Sequence, residues 1–121
     1  MAIELQIFHR GKMYRWPVSE KSITVGSSPS CELILKNFQV EKSHCSIFLE
    51  NGKVKVVDHK SKSGTFIDHV KVTEGNLYVG QSLVIASMHL KINESLLSKD
   101  EIKKLKKPAD ATMINYKFAA A

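Results

Sequence analysis

Hydrophobic and polar residues alternate in short runs along most of the first 92 residues. At the N-terminus Ile3, Leu5 and Ile7 occupy every second position, and such a period of two is typical of a strand with one buried face. The predicted strands cover residues 3–8, 13–18, 22–25, 32–35, 45–50, 54–58, 65–67, 70–72, 82–86 and 89–92. No helix-period segment interrupts them. The pattern therefore predicts an all-β fold, an antiparallel β-sandwich of about ten or eleven short strands.

Residues between these runs have the chemistry of turns. Asn51-Gly52 separates two strand-like segments, and this dipeptide tolerates the positive φ angles of a tight hairpin. Pro17 removes a backbone donor, so it marks the end or edge of its strand.

The pattern changes from Asn93 onwards. Ser98 and Glu101 have capping-box spacing, and Ile102 and Leu105 lie three apart on one helical face. We therefore expect a β-sandwich over residues 1–97, a short C-terminal helix over 98–108 and a loose tail over 109–121. The final three alanines are consistent with a cloning scar.

Composition narrows the function classes. A chain of 121 residues with 43% hydrophobic residues is large enough for one packed domain. Its apolar runs are shorter than the roughly 18 residues of a membrane span, and no signal layout opens the chain, so we expect no membrane insertion. Cys31 and Cys45 do not have metal-ligand spacing, and we expect no metal and no cofactor. The expected compartment is the cytoplasm, or the nucleus if the source is eukaryotic.

The net charge of +6 raises the possibility of nucleic-acid binding. The densest basic cluster, residues 99–108, is interrupted by Asp100 and Glu101, and mixed-sign faces of this kind are usually only solvated. Nucleic-acid binding is therefore kept as an alternative and is not favoured.

Catalytic constellations are not evident. His44 stands between Ser43 and Cys45, but strand alternation predicts that those two share one face and His44 the other. No acidic residue is suitably spaced to orient the histidine, so we predict that the protein is not an enzyme. Tyr14 and Trp16 share one face of their strand, and core packing is the expectation for both.

Residues 23–92 resemble the forkhead-associated (FHA) domain. The matching positions are Gly26, Leu33, Ile34, Leu35, His44, Asp58, Ser61, Gly64, Thr65, Phe66 and Gly80. The resemblance implies a non-catalytic module that recognises a phosphothreonine peptide through loops at one end of a sandwich. It also implies a loop-shaping role for Gly26, His44, Gly64 and Thr65, with His44 bracing the loops through backbone hydrogen bonds.

The phosphate-binding positions depart from the family pattern. The family has an arginine after the loop glycine and a serine three residues before the histidine, whereas this chain has Ser27 and Glu41. A Ser or Thr followed by Asn precedes the family's Gly-Thr pair, whereas this chain has Lys62 and Ser63. A carboxylate near a phosphate is repulsive, so we predict a protein–protein interaction module with weak or no phosphothreonine dependence. The candidate peptide- or phosphate-binding residues are Ser27, Ser28, Glu41, Lys42, Lys62 and Ser63.

Two other interpretations of the same fold remain open. One is an active phosphothreonine reader whose pocket is rebuilt from Lys42, Lys60 and Lys62, although Glu41 and Lys62 could instead pair and close the pocket. The other is an FHA-like assembly domain of a type III secretion inner-ring protein. In either case the expected partner is a protein or peptide, with or without phosphothreonine, and the oligomeric state is left open. Thr112 is a hypothetical regulatory phosphorylation site in the tail.

Overall fold

The computed structural model describes residues 3–107 as eleven strands and two short helices. The strands are β1 (Ile3–His9), β2 (Lys12–Val18), β3 (Ile23–Gly26), β4 (Leu33–Ile34), β5 (Cys45–Glu50), β6 (Lys53–Asp58), β7 (Thr65–Ile67), β8 (Val70–Lys71), β9 (Glu74–Leu77), β10 (Leu83–Ile85) and β11 (Met88–Ile92). A 3₁₀ helix (Glu94–Leu96) and the α-helix α1 (Lys99–Lys104) follow.

The strands form two sheets. One has six strands in the order β2-β1-β11-β10-β7-β8, and the other has five in the order β4-β3-β5-β6-β9. Neighbouring strands are antiparallel except β3 and β4, which are parallel. The prediction of a mostly antiparallel β-sandwich with a short C-terminal helix is confirmed.

The core consists of the inward-facing residues of both sheets. Ile3, Leu5 and Ile7 are buried at alternate positions of β1, and Val54 and Val56 are buried in the same way on β6. Full burial of an aliphatic side chain of this kind contributes about 1.5–3 kcal/mol. One continuous cluster joins the two sheets, so the loops at either end stand on a rigid support.

Two tight hairpins each place two successive residues at positive φ, the second of which is a glycine. Asn51 and Gly52 have φ angles of 53° and 74°, and Arg10 and Gly11 have 51° and 75°. Two successive positive φ angles match the right-handed twist of the flanking strands. Pro17 lies on β2, an edge strand, where its missing donor leaves no sheet partner unsatisfied.

The ten predicted strands agree with the structure to within one residue at each end, and one further strand is present. The predicted segment 32–35 is reduced to β4, and β9 was not predicted at all. Glu74, Gly75 and Asn76 have low strand propensity, and Leu77 alone is fully buried in β9. The strand exists because its backbone pairs with β6 from Val54 to Val57, an interaction that local sequence does not reveal.

The expectation that Tyr14 and Trp16 both pack in the core is wrong for Tyr14. Tyr14 is 51% exposed, whereas Trp16 is half-buried against the core. Both side chains point inward from β2, but β2 is the last strand of its sheet and overhangs the end of the core.

Helix α1 begins at a complete capping box. Ser98 Oγ accepts the Glu101 N–H, and Glu101 Oε1 accepts the Ser98 N–H. Just after the helix, Leu105 is buried and its carbonyl accepts the Val79 N–H at 2.7 Å, which attaches the helix to the sandwich. The predicted loose tail, Thr112 included, lies outside the described residues, and the three-part division of the chain stays a prediction. No helix within residues 3–107 is long and apolar enough to cross a membrane.

Candidate functional site

Three loops meet at one end of the sandwich. They are residues 27–32 between β3 and β4, 35–44 between β4 and β5, and 59–64 between β6 and β7. The Ser27 N–H donates to the Glu41 carbonyl at 2.9 Å, which joins the first two loops. The Ser63 hydroxyl donates to the Gln39 carbonyl, which joins the second and third.

Gly26 permits the close approach of the first two loops. A Cβ atom at this position would lie 2.8 Å from the Lys42 carbonyl carbon and closer still to its oxygen. That oxygen also accepts hydrogen bonds from the Ser28 N–H at 3.2 Å and the Cys31 thiol at 3.1 Å. The loops can therefore pack at this distance only if residue 26 has no side chain.

His44 connects the second and third loops from within. Its side chain is fully buried, its Nδ1 accepts the Glu41 N–H at 3.2 Å, and its Nε2–H donates to the Gly64 carbonyl at 2.9 Å. These two bonds define the neutral tautomer that carries its hydrogen on Nε2. The ring thus holds the backbones of both loops in fixed positions.

The predicted alternation around His44 is wrong. Ser43 is exposed, whereas His44 and Cys45 are both buried. Strand β5 begins only at Cys45, so the preceding residues follow a turn and not the pleat of a strand. Burial raises the pKa of the Cys45 thiol to about 12, with a further contribution from the negative charge of Asp58. This thiol is therefore unreactive at neutral pH.

Asp58 organises the third loop. One carboxylate oxygen accepts the Ser61 hydroxyl at 2.6 Å and the Thr65 hydroxyl at 2.7 Å, and the other accepts the Ser61 N–H at 3.1 Å. Burial disfavours the charged carboxylate, but the hydrogen bonds from Ser61 and Thr65 outweigh it and hold the pKa of Asp58 below its ordinary value. Sequence reasoning matched Asp58 and Ser61 to the pattern but gave them no role, although an acceptor three residues before a serine is a recognisable turn signal.

Three of the four positions that depart from the family resemblance contact one another, because Glu41 bonds the backbone of both Ser27 and Lys62. Glu41 is half-buried, and its Oε1 accepts the backbone N–H of Lys62 at 3.2 Å. Glu41 therefore contacts the backbone of the third loop, and no ion pair within 4 Å joins it to the Lys62 ammonium among residues 3–107. Ser63, at the asparagine position, uses its hydroxyl to bind the Gln39 carbonyl.

The other candidate residues lie around this contact. Ser28 is half-buried, and its hydroxyl lies 2.9 Å from that of Ser30. The side chains of Lys42, Lys60 and Lys62 are exposed. The structure thus brings all six candidate positions to one end of the molecule, with lysines around one half-buried carboxylate.

Sequence reasoning missed two residues at this end. Phe38 is 96% exposed at the tip of the second loop, beside Gln39. The two ring nitrogens of His59 lie 2.7 Å from the Ser43 hydroxyl and 3.0 Å from the Ser46 hydroxyl. These contacts fix the orientation of the exposed imidazole. A lone phenylalanine between Asn37 and Gln39 was the one available signal for an exposed aromatic loop tip.

Comparison with known families agrees with this architecture. The model of the FHA domain matches residues 23–86, which include all three loops and the strands that carry them. The chain belongs to the FHA domain family. FHA domains are non-catalytic protein-interaction modules, many of which bind phosphothreonine peptides.

Solved FHA domains share the fold at low identity. The FHA domain of CT664 from Chlamydia trachomatis superposes with a TM-score of 0.70 at 20% identity, over 76% of this chain and 96% of that one. The FhaA FHA domain, complexed with the intracellular domain of Rv3910, superposes with a TM-score of 0.68 at 20% identity, over 75% of this chain and 99% of that one. Mycobacterium tuberculosis EmbR, in complex with a low-affinity phosphopeptide, superposes with a TM-score of 0.66 at 16% identity, over 76% of this chain and 24% of that one. The comparison with curated proteins gives no significant match.

Proposed function

We propose that this FHA domain binds a protein partner through its three loops with weak or no dependence on phosphothreonine. The observation that carries the proposal is the hydrogen bond from the Lys62 N–H to the Glu41 carboxylate. Glu41 occupies the position at which the family has a phosphate-binding serine. Its negatively charged carboxylate therefore accepts a backbone N–H close to the place where a phosphate would bind.

Electrostatics favour this interpretation. A carboxylate 4 Å from one unit of negative charge costs about 1 kcal/mol in water and about 4 kcal/mol at a partly shielded surface. A phosphothreonine carries about 1.5 to 2 negative charges, so several kcal/mol would be lost beside Glu41. A micromolar complex has only about 8 kcal/mol of binding free energy in total, and the usual pose would weaken towards millimolar.

The remaining donors do not replace what is missing. Ser27 stands where an arginine would bind phosphate with its two-pronged guanidinium, and a serine has no charge. Ser63 stands where an asparagine would hold the peptide backbone, and its hydroxyl already donates to Gln39. Lys42, Lys60 and Lys62 remain as flexible point charges, which attract an acidic partner without requiring a phosphate.

Phe38 supplies an apolar anchor at the same end. Aromatic residues, phenylalanine included, are enriched in protein interfaces, and each buries a large apolar area. With 96% of Phe38 exposed and lysines on the adjacent loops, the surface suits a partner that presents an apolar pocket and negative charge.

The test compares a phosphothreonine peptide library with its unphosphorylated twin by fluorescence polarisation and calorimetry. We expect affinities that differ by less than about tenfold, the ratio equivalent to 1.4 kcal/mol. A micromolar, strictly phosphate-dependent peptide would overturn the proposal and favour the lysine-based reader. In that case Lys42→Ala or Lys62→Ala would abolish binding.

Two variants isolate the charge of Glu41. Glu41→Gln keeps the shape and an oxygen for the Lys62 N–H but removes the charge, and Glu41→Ser restores the family residue. Both are expected to tighten phosphopeptide binding by at least about tenfold. If neither does, the carboxylate is not what weakens phosphate binding. For a protein partner, Phe38→Ala should weaken capture, whereas phosphatase treatment of the partner should not.

A further inference from the structure

A second surface with the properties of a binding site lies at the side of the sandwich, away from the loop contacts described above. The edge strand β2 of one sheet and the edge strand β4 of the other border an open groove of about 520 Å³. That volume falls within the roughly 300–1,000 Å³ typical of ligand sites.

The groove is lined mainly by hydrophobic side chains. Tyr14 is 51% exposed and Ile34 is 41% exposed, with half-buried Trp16 beside them. Leu35 and Met88 are buried and contribute to the lining. Tyr14 and Trp16 face the groove because they pair with buried Ile7 and Leu5 on β1, so both project from the inner face of their sheet.

The backbone at this edge is unpaired. The groups of Lys12–Val18 that point away from β1 form no backbone hydrogen bond with any other part of residues 3–107. A free strand edge accepts an extended peptide as an additional strand. Pro17 lacks an N–H, which confines such pairing to the part of β2 that precedes it.

The polar groups that line the groove favour a ligand with negative charge. His9 Nδ1 is buried without a hydrogen-bond partner among the described residues. Lys36 and Arg15 also line the groove, and no lining residue within 3–107 carries a carboxylate. Arg15 is already paired with Glu4 at 3.4 Å. Lys36 is therefore the cation at the rim that has no ion pair among residues 3–107, and the complement of this lining is an apolar segment with negative flanks.

We infer that this edge binds an extended, acidic peptide segment of a partner protein, which adds to β2 as a further strand. Tyr14 and Trp16 lie two residues apart on one face, so the peptide presents apolar residues at alternate positions to the groove. Its acidic residues pair with Lys36 and the rim of the groove, and one of its polar groups satisfies His9 Nδ1. The site shares Leu35 and Lys36 with the start of the second loop, but it lies away from the contact between Glu41 and Lys62 and does not require phosphate.

The experiment is an NMR titration of the ¹⁵N-labelled full chain with the capped peptide DEVEIEVEDE. The control peptide DEEVIVEEDE has the same composition but places its three apolar residues consecutively. We expect the first peptide to shift amides of β2 and β4 with a dissociation constant below about 1 mM, and to bind more weakly at higher salt. Alternate β2 amides that precede Pro17 should exchange more slowly with solvent when the peptide is bound. The proposal is wrong if those amides do not respond, or if the control peptide binds equally well.

Matched variants locate the site. Tyr14→Ala and Lys36→Glu should each weaken binding by about tenfold or more, whereas Met13→Ala should change it less than about twofold. Met13 is the control because it is 44% exposed on the same strand but pairs with Phe8, on the outer face of the sheet. Glu41→Gln and Phe38→Ala should have no effect, which separates this groove from the surface formed by Glu41 and Phe38.

Two outcomes would assign the groove to a different occupant and overturn the proposal. Shifts of the same amides with protein concentration alone would identify a second copy of the chain. Tighter binding of a synthetic peptide of residues 111–118 than of DEVEIEVEDE would identify the chain's own C-terminal segment.

Discussion

The loop end of the molecule contains two layers that differ in what they require of the sequence. The lower layer, formed by Gly26, His44, Asp58 and Thr65, is mostly buried and consists of positions at which the sequence resembles the family. The upper layer, which carries Glu41, Lys62 and Ser63, is half-buried or exposed and departs from the family pattern. A buried polar group without a partner costs about 1–3 kcal/mol, whereas an exposed group can turn to water. Binding chemistry can therefore change in the upper layer while the fold is retained by the lower one.

Removal of the His44 side chain is expected to reduce the stability of the protein most. His44→Ala removes the acceptor of the Glu41 N–H and the donor to the Gly64 carbonyl, and it leaves a cavity. We expect a loss of about 3–5 kcal/mol in the free energy of unfolding, measured by urea denaturation. His59→Ala is the control, because its exposed imidazole contacts two serine hydroxyls, and its backbone hydrogen bond to His44 is kept in the variant; it should cost less than about 1 kcal/mol. Equal losses would contradict the division into two layers.

Gly26→Ala should rank second. The new methyl group would collide with the Lys42 carbonyl, so the first two loops must separate, at a cost of about 2–3 kcal/mol. Gly75→Ala serves as control because its Cβ would meet Ile67 Cδ1 at an ordinary 3.6 Å. Thermal unfolding should show a lower melting temperature for Gly26→Ala. For Gly75→Ala the free energy of unfolding should change by less than about 0.5 kcal/mol.

Asp58→Asn should cost about 1–3 kcal/mol at pH 7, with a specific pH dependence. Because hydrogen bonds hold the pKa of Asp58 below its ordinary value, the folded state favours the carboxylate. This contribution is complete above about pH 4 and declines as the pH falls through the folded-state pKa. The stabilities of wild type and variant, measured from pH 7 to pH 2, should therefore converge in acid. A constant difference across that range would show that the charge of Asp58 is not involved.

The smallest effect is expected in the upper layer. Ser63→Ala removes one exposed hydrogen bond to the Gln39 carbonyl and should cost about 0.5–1 kcal/mol. Amide spectra should change only in the second and third loops, and urea denaturation should show an almost unchanged midpoint. A loss comparable to that of His44→Ala would mean that the upper layer also supports the fold.

Much of the fold was accessible from local pattern. The alternation in β1, the Asn51-Gly52 hairpin and the capping box at Ser98 each depend on neighbouring residues, and each was predicted from them. Strand β9 was missed because Glu74, Gly75 and Asn76 have little strand propensity of their own, and their backbone pairing with β6 creates the strand. Tyr14 was misplaced because alternation identifies the face of a strand but not its distance from the core.

The candidate site was accessible only in part. The family resemblance predicted which positions would lie together, and they do lie at one end of the sandwich; that Glu41 would oppose a phosphate stays a prediction. The resemblance did not indicate that Glu41 would accept the backbone N–H of Lys62, 21 residues away in the chain. Nor did it distinguish Phe38, almost fully exposed, from the other phenylalanines of the chain.

By itself the sequence determined the β-sandwich architecture, the turns and the residue types present at the loop end, because these follow from residue type and short-range spacing. Tertiary structure decided which polar groups are already satisfied and which edges are left open. Those properties depend on contacts between segments far apart in the chain, and they exist only once the strands have paired and the loops have met.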